Sequence, residues 1–328
     1  MKALFVKAFC LVTLICSVQS ASSLEASTTW KLATGYPADS FHGQNLDQFA
    51  QAIKKAADGK LKIELHPNNS LVKLADIFKA VQTGRIEAGE VIMTAMTKEV
   101  SLAGADSVPF VVSSYEDATK MWRYQRPLVE KQMADRGLTV LYAVPWPPQG
   151  LYSTKPIQNA SDLRGAKMRT YNAATVRIAQ MVGAGSVDVP MAEVSAALAA
   201  DKMDSMITSA VTGVQNKVWG QLNYYYEINA WFPKNLVFVN TAAFNALPQN
   251  LRDAVRNAAR EAELRGWVLS QAAAKSSNAE LKAQGMKVER VPSGLERDLK
   301  SMGERFSREW IKTVGHEANQ IFLPYYFQ

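Results

Sequence analysis

The sequence predicts an α/β protein of two similar lobes. Each lobe is a mainly parallel sheet, hinge strands join the two, and a long helix braces them. Three observations lead there. Strand-like and helix-like stretches alternate along the chain, one strand–helix–strand unit recurs, and an alanine-rich helix near the carboxyl end is too long for one lobe.

The chain opens with a segment expected to lie outside the fold. Lys2 and Lys7 form a basic start, and "AFCLVTLICSV" is an apolar run too short to span a bilayer. "VQS" then offers small residues for cleavage after Ser20, so residues 1–20 read as a signal peptide and the protein as exported to the periplasm. Both cysteines, Cys10 and Cys16, fall in this segment, which leaves the mature chain without disulfide or thiol chemistry. Losing its two lysines lowers the formal charge from +7 to +5. That surplus is spread along the chain, and it suits an anionic small ligand better than a nucleic-acid groove. No later stretch approaches the ~18 uninterrupted apolar residues of a membrane helix.

The mature start, "TWKLATGYP", reads as a strand and turns through "ADSF" into the helix "HGQNLDQFAQAIKKAADG". "KLKIELHP" is a second strand, "NNS" a turn, "LADIFKAVQTG" a helix with a glycine stop, and "RIEAGEVIM" a third strand. Strands alternating with helices of this length build a mainly parallel sheet covered on both faces. An internal echo doubles the unit. "LADIFKAVQTGRIEAGEV" (Leu74 to Val91) aligns without a gap on "MAEVSAALAADKMDSMIT" (Met191 to Thr208), pairing Asp76 with Glu193, Ala80 with Ala197, and Glu87 with Asp204. The match runs past the helix into the next strand, which two merely amphipathic helices would not require.

"LPQNLRDAVRNAAREAELRGWVLSQAAAKSSNAELKAQG" has proline at its entrance, glycine at its exit and good helix formers between. Some thirty-five residues at ~1.5 Å each give a helix of ~50 Å. It is expected to run across both lobes, with a kink near Gly266. The first lobe is expected in 27–150 plus about 239–275, and the second in 151–238 plus about 276–328. Hinges fall near Gly150 and Asn240, and the ligand cleft lies between the lobes.

The common catalytic signatures are missing. His42, His66 and His316 are the only histidines, far apart and without zinc-protease spacing. No Walker loop occurs, "VGAGSVDV" lacks the third glycine of a dinucleotide loop, and "SLVK" has none of the partner motifs of penicillin-recognising enzymes. No catalytic residue, metal site or cofactor is assigned, although a Ser-His-Asp set is defined by geometry that sequence does not supply. Arg169 stands out by position. "AKMR" is a strand, and "TYNAATVRIAQMVGA" is the following loop and helix, with Asn172 placed as N-cap. Residues leaving the carboxyl end of a strand in an open α/β sheet face the crevice where such folds bind ligands. A guanidinium there can hold a carboxylate through two parallel hydrogen bonds, with Tyr171 and Asn172 as further donors. The competing reading is a solvated or structurally paired arginine.

Four stretches carry a resemblance across essentially the whole mature chain. They are "HPNNSLVKLADIFKAVQTGRIEAGEV", "SVPFVVSSYEDA", "WPPQGLYSTKPIQNASDLRGAKMRTYN" and the long alanine-rich helix. Together they resemble the DctP-like substrate-binding proteins of tripartite ATP-independent periplasmic (TRAP) transporters. The resemblance implies a periplasmic binding protein-like fold that closes on an organic acid and delivers it to TRAP membrane permease subunits. It also implies that Arg169, in the "G-x-K-x-R" strand, clamps the ligand carboxylate. Many relatives carry a second arginine after the hinge glycine. Here Leu151 and Tyr152 follow Gly150, so the branch looks suited to monocarboxylates, including 2-hydroxy and 2-oxo acids.

Matching positions supply the other wall candidates. Phe41 and His42 lie at the end of the first strand, Lys73 in the turn before a helix, Glu90 at the end of the next strand, and Trp146 near the hinge. Thr208 and Ser209 end the equivalent strand of the second lobe, while Trp231, Phe232 and Asn235 lie on a loop before "LVFVN". For the aromatics the alternative is lobe core; for Lys73 it is a solvated charge, and for His42 a capped buried side chain. A periplasmic enzyme acting on a small carboxylic acid, or a binding protein of another transporter class, remains the rival reading.

Overall fold

A computed structural model of the protein describes residues 27–327. The expected signal peptide, residues 1–20, lies outside the described residues. β1 (Thr28–Thr34) leads into α1 (Phe41–Ala56), followed by β2 (Leu61–His66), α2 (Leu74–Gln82) and β3 (Ala88–Ile92). After two short 3-10 turns, α3 (Tyr115–Ala134) and β4 (Leu138–Pro145) bring the chain to its first crossing. The second lobe holds β5 (Gln149–Ser153), β6 (Lys167–Thr170), α4 (Ala173–Val182), β7 (Gly185–Asp188), α5 (Val194–Ala199), β8 (Ser205–Ser209), α6 (Ala210–Gln215) and β9 (Tyr224–Glu227). Residues 228–233 cross back to β10 (Lys234–Asn240), α7 (Thr241–Asn245) and the long α8 (Gln249–Ala283). β11 (Lys287–Arg290), α9 (Ser293–Val314) and α10 (Asn319–Phe327) complete the chain.

The two sheets share a plan. The first runs β2-β1-β3-β10-β4 and the second β7-β6-β8-β5-β9-β11. In each, three parallel strands meet one antiparallel strand that has just come over from the other lobe: β10 beside β3, and β5 beside β8. The recurring unit seen in the sequence is α2–β3 in one lobe and α5–β8 in the other. Both crossings are short and bonded to each other. Trp146 N–H donates to the Pro233 carbonyl (2.7 Å), Gln149 N–H to Trp231 (3.1 Å), and Ala230 N–H to Gln149 (2.9 Å). Pro147 and Pro148 lack a donor, which ends β4 and separates it from β5. Gly150 sits where the chain enters β5, and a Cβ there would overlap the Tyr225 ring.

Two expectations change. The second crossing is at 228–233 rather than near Asn240, because Lys234–Asn240 pairs along its whole length with β4 in the first sheet. The expected boundary at 238 therefore falls inside a strand. The carboxyl-terminal helices also do not stay on the second lobe. α9 starts there, where Asp298 accepts from Ala160 N–H at 2.9 Å. α10 ends against α3 of the first lobe, with the Tyr325 hydroxyl on the Val111 carbonyl at 2.9 Å. The buried apolar face of Ile321, Phe322 and Tyr325 draws it there. The expected long helix is present, with α8 helical throughout its 35 residues. Gly266 allows close packing, since a Cβ at that point would overlap Val144 of β4. α8 packs on α1 and β4 of the first lobe and on α6 and β11 of the second, as a brace should.

Candidate functional site

A cavity of about 310 Å³ lies between the lobes, at the carboxyl ends of the parallel strands. Six of the expected residues line it: Arg169, Tyr171, Asn172, Trp146, Thr208 and Ser209. β6 delivers Arg169 because it is short and flanked on both sides by parallel neighbours, so the chain leaves the sheet at the centre of the crevice. Asn172 caps α4, accepting from Thr175 N–H at 2.9 Å, and so fixes where the loop ends. Ser209 caps α6 in the same way.

Arg169 is 3 % exposed, yet no carboxylate of the protein pairs with it among the described residues. Its Nε donates to the Val189 carbonyl at 2.8 Å, and its guanidinium lies 4.8 Å from the centre of the Tyr171 ring. No other hydrogen bond to protein engages the guanidinium among the described residues. Burial pulls its pKa down to about 10, against the opposing pull of Tyr171 and Asp188. At neutral pH it is still charged, so the site holds a desolvated cation that no carboxylate of the protein engages in an ion pair among the described residues. Burial likewise pushes the Tyr171 phenol up to about 12, with Arg169 opposing, and its hydroxyl donates to Gln149 Oε1 at 3.2 Å.

Four expected residues lie behind the first-lobe wall, outside the cavity lining. Phe41 and His42 are the first residues of α1, past the end of the first strand, and Asn235 lies within β10, past the loop. Glu90 is buried, accepts from the Thr34 hydroxyl at 2.7 Å and lies 3.1 Å from His42 Nδ1. Burial alone would raise its pKa. The His42 charge and hydrogen bonds from His42, Thr34 and Asn235 outweigh that, and the carboxyl is held below its ordinary value. Asn235 Oδ1 accepts from Trp146 Nε1 at 2.8 Å. His42 packs 4.5 Å from the Trp146 ring, and Tyr36 meets the same indole edge-on at 5.1 Å. This buried set therefore holds Tyr36 and Trp146, the two aromatic side chains of the first-lobe wall that line the cavity.

The last three expected residues lie elsewhere; Phe232 is buried in the core beside Trp231. Trp231 is fully buried in the core at the second crossing. Lys73 is exposed at the start of α2 and is not part of the cavity wall. Beside Lys73, Leu74 does line it, together with Tyr36, Gln149 and Asp188, none of which the sequence reading had singled out. Gln149 precedes the hinge glycine and Asp188 ends β7, the strand next to Arg169's, and those adjacencies were the available signals. A second cavity of about 340 Å³ shares Thr94 and Asn172 with the first and is lined also by Phe306 and Trp310 of α9. It offers no unpaired charge, since Glu309 is engaged by Arg177 at 2.8 Å. Among the described residues no group of side chains could hold a metal ion.

Residues 32–313 match the model of bacterial extracellular solute-binding proteins, family 7 (DctP). The chain belongs to this family. Solved family 7 structures agree with the fold in detail. DctP6 of Bordetella pertussis, an extracytoplasmic solute receptor binding pyroglutamic acid, is 36 % identical with a TM-score of 0.89, over 92 % of this chain and 100 % of that one. A marine metagenome TRAP solute-binding protein specific for pyroglutamate is 37 % identical with a TM-score of 0.88, over the same shares of 92 % and 100 %. A curated relative, the monocarboxylate 2-oxoacid-binding periplasmic protein of Nostoc, is 25 % identical over 76 % of this chain and 71 % of its own. The family and these neighbours are receptors, as the two-lobed architecture and interlobe cavity lead one to expect.

Proposed function

We propose that the protein is the periplasmic receptor of a TRAP transporter, that it captures a compact monocarboxylate of the pyroglutamate class, and that it delivers this to the membrane permease. One observation carries the proposal: Arg169, a buried guanidinium with free donors, faces an interlobe cavity in which it is the only cation among the described residues. A bidentate carboxylate satisfies both its charge and its fork geometry. Excluding water as the lobes close strengthens the contact further. Leu151 and Tyr152 support one carboxylate rather than two. Both are buried outside the cavity lining, so the second arginine of many relatives has no counterpart there. The aromatic side chains of Tyr36 and Trp146 suit a small flat ring. Identity of 36–37 % to pyroglutamate receptors points the same way.

The test is a thermal-shift screen of the mature chain with pyroglutamate, lactate, pyruvate, succinate and malate, followed by calorimetry on the hits. A ligand at a hundred times its Kd should stabilise the fold by ~2.7 kcal/mol. Pyroglutamate or another monocarboxylate should rank first. A dicarboxylate binding tightest, or turnover of the bound acid, would overturn the proposal.

A further inference from the structure

Arg169 has a neighbour of opposite sign. Asp188 is the only acid on the cavity wall among the described residues. The two stand at the ends of neighbouring strands, and both line the cavity. Thr170, adjacent to Arg169 on β6, is in register with Asp188 on β7, and Arg169 Nε holds the carbonyl of Val189, the residue after Asp188. Yet Asp188 makes no hydrogen bond or ion pair of its own among the described residues, and its side chain is exposed. An acceptor with spare capacity therefore lies on the same cavity wall as the one guanidinium, near enough for its charge to act on it.

We propose that Asp188 selects the ligand by accepting a hydrogen bond from a donor on the α-carbon of the bound carboxylate. The geometry of the ligand class fits that of the pair. In pyroglutamate the ring N–H is attached to the carbon that bears the carboxylate, so a group clamped by Arg169 carries its N–H toward whatever lies beside the guanidinium. A 2-hydroxy acid offers an O–H in the same place. A 2-oxo acid offers an oxygen, whose lone pairs a carboxylate repels. This rests on the monocarboxylate reading above and narrows it to acids with an α-donor, against the 2-oxo acids.

Calorimetry on the full mature chain tests this, using L-pyroglutamate and the lactone in which oxygen replaces the ring N–H. Hydrogen bonds to charged groups contribute enough that the parent should favour the lactam by about ten- to a hundredfold. D188A should bind the two within about threefold of each other, and D188N, which keeps one acceptor oxygen, should fall between. Lactate and pyruvate form a second pair: the parent should favour lactate, and D188A should not. Circular dichroism confirms that the variants fold. A parent that binds pyroglutamate and its lactone equally, or a D188A protein that keeps the full preference, overturns the role of Asp188 alone. A parent that binds no α-substituted monocarboxylate overturns the underlying reading and this one with it.

Discussion

Behind the first-lobe wall of the cleft, polar groups are already committed to one another: Glu90 to Thr34 and His42, and Asn235 to Trp146. On the second-lobe wall, Arg169 gives only Nε to the protein, and Asp188 forms no hydrogen bond among the described residues. The first wall pairs most of its polar groups internally, although His42 Nε2 and Asn235 Nδ2 have no hydrogen-bond partner of good geometry among the described residues, whereas in the proposed function a ligand completes the second. The proposed function thereby assigns folding stability and ligand binding mainly to different walls. Mutations on one wall should register first as lost stability, and on the other as lost affinity.

The largest effect should come from Glu90→Ala, which leaves its buried partners unpaired. Breaking a buried pair by removing one member costs ~3–5 kcal/mol, to be read by urea unfolding of the ligand-free protein. The pH dependence has a definite sign. The folded-state pKa of Glu90 lies below its ordinary 4.5, so its contribution is present above that value and is lost as pH falls through the folded one. The parent should lose stability on acidification below about pH 4.5, and Glu90→Gln should show a shallower acid limb. A Glu90 variant with full stability and abolished binding would reverse the comparison.

Arg169 should behave oppositely. Arg169→Lys keeps the charge but not two coplanar donors, and binding should weaken by roughly ten- to a hundredfold. Arg169→Met should bind worse still, yet unfold later without ligand by ~1–2 kcal/mol, because it removes a desolvated charge that has no ion-paired carboxylate. Calorimetry and thermal unfolding on the same preparations separate the two effects. If Arg169→Met loses stability and binding together, the guanidinium is structural and the division between walls fails.

Much of this was legible in the sequence, for reasons that also mark its limits. The recurring α2–β3 and α5–β8 units declare themselves through local periodicity, and Arg169 through its place at the end of a strand. The residues that went unnoticed occupy edges and turns: Tyr36 just beyond β1, Gln149 at the start of β5, Asp188 at the end of β7. Whether such a side chain faces a cleft depends on how two lobes approach, and no local pattern encodes that. The displaced hinge has the same origin. Lys234–Asn240 reads as a strand, but the sheet it joins is decided by partners about 90 and 145 positions earlier in the chain, in β4 and β3.

The smallest effect is the most discriminating, and it concerns Lys73. Its position before α2 suggested an ammonium aimed at the ligand, but the residue is exposed and stands outside the cavity wall, while its neighbour Leu74 lies on it. Lys73 is the N-cap of α2 without any side-chain capping bond, so truncation removes no hydrogen bond from the helix. A solvated surface charge of this kind contributes within about 0.5 kcal/mol. Lys73→Ala should therefore leave stability nearly unchanged and shift affinity for the carboxylate by no more than about twofold, with no change in its salt dependence. A tenfold loss of affinity that fades at high salt would mean that the closing first lobe brings a second cation to the ligand. The first wall would then bind as well as shape, and dicarboxylates would return as candidates.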